Sequence, residues 1–295
     1  MISNNQNDER SELDTISLED LNKARKSFKQ YIFTDTKDPS KNLYYNLFVP
    51  ENYTKSEKYP LMVFIGDAST IGKKSSPLTQ TVGGPIWATD IIQKKYKCFV
   101  LIPEYNEVII DDRNGYSKSE YINVTVRLIS KIKTEYNIDP NRIYGTGQSM
   151  GAMTNLYLLA NNPDLYAAGL IVDGQWKIDE LEGLTNATFT YFAAAGDDKA
   201  FNGQNEVKKY LKSKGIEFGS LNDLNAQEKV ETLNNTTQKM YDLGFKHIFI
   251  SYAKGTIFSS NSKIKHEHMA SFKYGYRIES VRDWIFSQKK NSVFL

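Results

Sequence analysis

The sequence predicts an α/β domain: a mostly parallel sheet covered by helices on both faces, with strands antiparallel at one edge. Two observations carry this expectation. Short apolar runs alternate with longer stretches at helical spacing along most of the chain, the pattern of strand-helix-strand units. No internal repeat, low-complexity block or convincing linker interrupts the 295 residues, of which 40% are hydrophobic and 13% aromatic, enough for one large core.

The first thirty residues are polar and charged and are expected to be a leader or tail, with one helix from Ser17 to Lys29. The domain then begins near Tyr31 and runs to residue 295. "LYYNLFV", "YPLMVFI", "KCFVLI", "RIYG", "YAAGLIV", "TFTYFAAA" and "HIFISY" read as strands, the first two as the antiparallel edge. Between them, Tyr121 to Tyr136 places Ile122, Val126, Ile129 and Ile132 on one helical face. Asn225 with Glu228 resembles a capping box opening the helix that carries Val230, Leu233 and Met240. A last helix near Ile278 to Ser287 offers Ile278, Val281 and Ile285 to the core. In such a sheet, sites form at the carboxyl ends of strands.

Charge excludes some partners. The 37 Lys and Arg nearly balance 35 Asp and Glu, so a net charge of +2 gives no reason to expect nucleic acid or an anionic membrane. The opening "MISNNQNDERSELD" lacks the basic and apolar regions of a signal peptide, and no run of about 18 apolar residues follows. The expectation is a soluble chain, cytoplasmic or secreted with its leader absent; the charge balance leaves its oligomeric state open. The single cysteine, Cys98, sits in the apolar "CFVLI", where a buried inert thiol is expected, and one cysteine forms no internal disulfide.

"GTGQSMGAM", Gly145 to Met153, offers two chemistries. A dinucleotide fingerprint needs G-x-G-x-x-G, whereas Gly145, Gly147 and Gly151 give one residue too many. A second glycine-rich loop, "GDASTIGKKS" from Gly66 to Ser75, has five residues between its glycines where a phosphate-binding loop needs four. The other reading is G-x-S-x-G around Ser149. There a strand turns sharply into a helix, and small residues two before and two after the serine let the elements approach, leaving its hydroxyl exposed. A strand precedes this turn and the helical "GAMTNLYLLA" follows it.

A serine hydroxyl needs a base to take its proton. Only His247, His266 and His268 exist. His247 falls at the amino end of "HIFISY", the wrong edge of the sheet, and reads as a surface residue. His266 and His268, in "SNSKIKHEHMASF", follow that strand and fall at the correct edge. A solvated loop or half a metal site is the bland alternative for H-E-H, but too few further ligands exist for a metal. The orienting acid must lie between serine and histidine in the chain. Asp197 and Asp198 both leave "TFTYFAAA" at the carboxyl edge, and Asp173 after "AAGLIV" is a third candidate.

"VFIGDAS", "GQSMGAM", "VDGQW", "YFAAAGDDKA" and "HEHMASFKYGYRIESVRDWIF" together resemble the bacterial α/β-hydrolase esterases grouped with feruloyl-esterase-like and polyhydroxybutyrate-depolymerase-like enzymes, some described as peptidases. The resemblance spans about residues 30 to 290 and implies the α/β-hydrolase fold and a serine carboxylic-ester hydrolase. It implies Ser149 as nucleophile and His268 rather than His266 as base. The "GD-x-K-A" pattern favours Asp197 as the acid, while a more general G-x-D spacing favours Asp198. Backbone N–H groups of Met150 and Asp67 would hold the oxyanion. Many relatives carry His-Gly where this chain has Ile65-Gly66, and the acidic Asp67 follows, so its carboxylate must turn away from the site. No metal or organic cofactor is implied, and the substrate would be a small-molecule or carbohydrate-linked ester. Trp87 and Trp176, near strand ends, are candidates to line its pocket, although a tryptophan so placed is more often packed in the core. A peptidase or thioesterase on the same residues, and a binding protein that keeps the fold without turnover, are the rival readings.

Overall fold

A computed structural model describes residues 16–258 and 266–290. The polar start through residue 15 and the segment 259–265 of the H-E-H loop lie outside them. Among the described residues, eleven strands run in chain order as β1 (Lys29–Thr34), β2 (Asn42–Phe48), β3 (Tyr59–Ile65), β4 (Phe99–Glu104), β5 (Ile110–Asp111), β6 (Ser117–Lys118), β7 (Ile138–Gln148), β8 (Ala168–Val172), β9 (Phe189–Ala194), β10 (Gly219–Leu224) and β11 (His247–Tyr252). The helices are α1 (Leu18–Lys26), α2 (Ser76–Thr79), α3 (Asp90–Tyr96), α4 (Tyr121–Glu135), α5 (Met150–Asn161), α6 (Asp198–Ser213), α7 (Val230–Tyr241), α8 (Glu267–Ser271), α9 (Tyr274–Arg277) and α10 (Glu279–Ser287).

Nine strands form one sheet in the order β1-β2-β4-β3-β7-β8-β9-β11-β10. From β4 to β10 all neighbours are parallel. The antiparallel edge is real, but it is made by β1, β2 and β4. The two runs expected to pair there, β2 and β3, are separated by β4. β5 and β6 form a small separate hairpin.

The central strands β3, β4, β8, β9 and β11 are buried at every residue, which explains their continuous apolar sequences. Alternate side chains serve opposite faces. Met62 and Phe64 of β3 join a core with α1, α7 and α10, while Leu61, Val63 and Ile65 join the core with α4, α5 and α6. α1 opens with a capping box between Ser17 and Asp20 and buries Leu21 and Ala24.

α4 buries Ile122, Ile129 and Ile132, and α10 buries Val281 and Ile285. The helix expected from Asn225 starts later. α7 begins at Val230, and Asn225 instead caps a turn through its side chain to the N–H of Gln227. No helix among the described residues is long and apolar enough to cross a membrane.

Candidate active site

The geometry around Ser149 follows from two glycines. β7 ends at Gln148 and α5 begins at Met150, so Ser149 alone makes the turn, at φ 50° and ψ −116°. For a residue with a side chain this backbone is strained. Such a turn closes only if the elements touch: a Cβ on Gly147 would lie 2.6 Å from the Ile65 carbonyl oxygen, and one on Gly151 only 1.8 Å from it. The Ser149 N–H donates to the Val172 carbonyl at 3.1 Å, which anchors the turn to β8.

His268 lies on α8, which follows β11 in the chain. Its Nε2 lies 2.8 Å from Ser149 Oγ, and its Nδ1 meets Asp197 Oδ2 in a short contact. Asp197 follows β9 and caps α6, its Oδ1 accepting the Ala200 N–H at 3.3 Å. An ionised Asp197 fixes the tautomer: Nδ1–H donates to the carboxylate and Nε2 accepts the serine proton. Burial disfavours the imidazolium, but the hydrogen bond to Asp197 and the Asp197 charge lead the effects that outweigh it and raise the His268 pKa above its ordinary value. The resulting chain can remove a proton from Ser149 and stabilise the cation that forms.

Comparison with known proteins gives the architecture its relatives. No family model matches the sequence, and no curated protein does. Among solved structures, a thermostable esterase superposes with a TM-score of 0.69 at 24% identity, covering 90% of this chain and 64% of its own. An uncharacterised protein from Capnocytophaga ochracea gives 0.54 at 12% identity, covering 87% of this chain and 63% of its own. Dipeptidyl peptidase 4 from Porphyromonas gingivalis gives 0.50 at 11% identity, covering 88% of this chain and 35% of its own. The chain has the α/β-hydrolase fold. It spans less than two-thirds of the length of each of these three.

Within this α/β-hydrolase fold, the remaining acidic candidates separate clearly. Asp198 is the first residue of α6 and exposed, 4.0 Å from the Lys254 ammonium. Asp173 is buried and does not touch the imidazole hydrogen bonds. Its Oδ1 accepts the Ala194 N–H at 2.7 Å and its Oδ2 lies 2.7 Å from Ser271 Oγ. Asp67 is also buried. Its carboxylate caps the turn at Ala68–Thr70 by accepting the Ser69 N–H at 2.9 Å, and accepts from Gln148 Nε2 at 2.8 Å.

His266 caps α8 and is exposed. His247 departs from the sequence reading: it is buried at the start of β11, its Nε2 2.9 Å from the Leu184 carbonyl, and burial lowers its pKa. Among the described residues no group of three or more His, Cys, Asp or Glu is placed to hold a metal ion. Cys98 is fully buried, and burial raises its thiol pKa to about 12.

A cavity of about 290 Å³ opens beside Ser149 and His268. Ala68, Val108, Ile110 and Met153 supply apolar wall, while Asp112 and Lys199 supply charge. Asp112 accepts from Gln175 Nε2 at 2.6 Å and from Lys199 at 3.3 Å. Neither tryptophan borders this space. Trp87 is fully buried in one core, its Nε1–H donating to the Gly83 carbonyl at 2.7 Å. Trp176 is buried in the other, donating to Glu180 at 2.8 Å and meeting Tyr116 edge-on at 4.9 Å. Each indole N–H is satisfied inside the fold, so core packing is the correct reading for both.

One buried carboxylate went unnoticed in the sequence. Glu267, between the two histidines, accepts the Gly196 N–H at 2.8 Å and also the Gly255 N–H. It ties the turn carrying Asp197 and the turn after β11 to the helix carrying His268. H-E-H thus has only its first residue exposed among the three. Its last residue is half-buried.

Proposed function

We propose that the protein is a serine carboxylic-ester hydrolase acting through an acyl-enzyme. The observation that carries this reading is the unbroken chain from Ser149 Oγ through His268 to Asp197, set on a turn with strained backbone. Ser149 attacks the ester carbonyl while His268 Nε2 takes its proton, and Asp197 stabilises the imidazolium. His268 then gives that proton to the departing alcohol. Water, deprotonated by the same imidazole, releases the acid in a second round.

The tetrahedral oxyanion falls to backbone N–H groups. Met150 opens α5 and Ala68 opens the turn after β3, positions whose N–H groups have no acceptor within their own helix. The loop donor in this reading is the Asp67 N–H, and the cavity bordered by the next residue, Ala68, supports it. The Asp67 carboxylate accepts from the Ser69 N–H and from Gln148 Nε2. No cofactor enters these steps. The substrate class is a small-molecule or carbohydrate-linked ester, and the cavity volume fits one small acyl or alcohol group.

A fluorophosphonate probe tests the reading. It is expected to label the protein at Ser149, with labelling and ester turnover both lost in Ser149→Ala at an unchanged melting temperature. Labelling or turnover that survives in Ser149→Ala refutes the nucleophile, and an unlabelled native protein favours a non-catalytic role. A panel of short-chain nitrophenyl, acetylated-sugar and feruloyl esters, with a peptide and a thioester beside them, sorts the substrate.

A further inference from the structure

Asp173 has no place in the proton path just described, yet it touches the helix that carries the base. Its carboxyl group is buried, on a residue with φ 46° just after β8. The Ala194 N–H holds Oδ1 at 2.7 Å, which orients Oδ2 toward Ser271 Oγ, also 2.7 Å away. Ser271 Oγ lies a further 2.7 Å from the backbone carbonyl of His268. A hydroxyl has one proton to donate, and two acceptors stand at equal distance from it. An ionised Asp173 would take that proton and leave the His268 carbonyl without it. A protonated Asp173 resolves the conflict: it donates to Ser271 Oγ, and Ser271 donates to the carbonyl, so that every donor and acceptor is used.

Resting on the triad assigned above, we propose that Asp173 is a positioning residue that acts as a neutral acid, holding α8 and its imidazole in place through Ser271 and the His268 carbonyl. Burial supports the neutral form, pushing the Asp173 pKa up to about 7. The hydrogen bonds from Ser271 and Ala194 pull downward, Asp197 pushes further up and His268 pulls down. The groups facing it are Asp197 from the turn after β9, His268 from α8, and the phenols of Tyr191, Tyr252 and Tyr276 from β9, β11 and α9. Burial raises all three phenols far above neutrality, so they stay uncharged. A neutral Asp173 adds no second negative charge beside the imidazole, whereas an ionised one would make the imidazolium harder to deprotonate.

Asp173→Asn copies the neutral form, since its amide can accept from Ala194 and donate to Ser271. The test follows the His268 ring proton by NMR across pH, assigned by its loss in His268→Gln, alongside kcat and KM. In Asp173→Asn the ring is expected to titrate close to its native pH, because the amide carries the same zero charge as the neutral acid. Its kcat should exceed that of Asp173→Ala by roughly 10-fold or more, with KM unchanged, as the loss of one hydrogen bond implies. Ser271→Ala should fall to within about 3-fold of Asp173→Ala, because both break one chain.

A His268 titration shifted to clearly lower pH in Asp173→Asn, as the loss of an ionised carboxylate would give, an Asn variant no faster than Ala, or native turnover in Ser271→Ala overturns the proposal. Should Asp173→Ala not fold, the Asn titration still decides. If the native protein hydrolyses no ester, the esterase reading fails, while the titration continues to judge Asp173.

Discussion

Glu267 makes a strong claim on stability, because one carboxylate serves two backbone donors from different loops. It is 3% exposed, so water does not replace it freely. Glu267→Ala leaves the N–H groups of Gly196 and Gly255 without their acceptor. A hydrogen bond to a charged acceptor contributes about 1.5–3 kcal/mol, which puts the two together at about 3–6 kcal/mol. Water entering the vacated space recovers part of this and favours the lower figure. Glu267→Gln keeps one acceptor oxygen and turns an amide donor toward the other N–H, so about half the loss is expected. For chains of roughly this size 1 kcal/mol moves the melting temperature by about 2–4 °C, so Glu267→Ala should melt about 6–24 °C lower. Reversible urea unfolding checks the same quantity as a lower midpoint at unchanged slope. Because Gly196 precedes Asp197, kcat should fall more than KM changes. A melting temperature within about 1 °C of the native value would show that the clamp does not stabilise the fold.

The acid is tested by Asp197→Asn, expected to lower kcat by roughly 10²- to 10⁴-fold with little change in KM, against a much smaller effect of Asp198→Asn; equal effects refute the assignment. The raised His268 pKa has a sign that can be measured. The base must be neutral, so kcat/KM rises with pH through a midpoint above about 6.5, and a midpoint below that value contradicts the electrostatics of the site. The same shift means that the imidazolium stabilises the fold at acid pH and that this contribution is lost as pH rises through the folded-state value. Gly151→Ala forces a Cβ against the Ile65 carbonyl and should cost at least about 1–3 kcal/mol, with loss of probe labelling; native stability and labelling would show that the turn has room to spare. Added chelator should leave hydrolysis unchanged, whereas zinc-reversible inhibition would point to a metal.

What the sequence reveals about this fold depends on burial. Central strands announce themselves because both faces are covered, whereas β1 and β10 at the two edges carry mixed, partly exposed residues and are missing from the strands expected of the sequence. The elbow is legible because its glycines are dictated by contact with Ile65. His247 misleads, since the Leu184 carbonyl that satisfies it comes from a distant loop. Asp197 and Asp198 differ only in which one caps α6, a distinction set by a single residue of helix register. Glu267 shows how a charged residue between two histidines can look solvated and still be buried, because its two partners are backbone groups that no side-chain pattern records. Trp176 is the reverse case: its neighbour Gln175 borders the cavity while the indole turns inward into the core, the commoner place for a tryptophan.

The three aligned side chains stand far apart along the chain: Ser149 and His268 are separated by 119 residues, and Asp197 and His268 by 71. They meet only when β7, β8, β9 and β11 lie side by side, an arrangement of non-local pairings that forms slowly because long loops must close before any contact rewards them. Nascent chains emerging in order would expose an elbow with no base opposite it until β11 and α8 have been made. On the proposed reading a reactive serine would arise last, as a property of the finished sheet, and covalent capture of Ser149 during refolding would mark the arrival of the C-terminal elements.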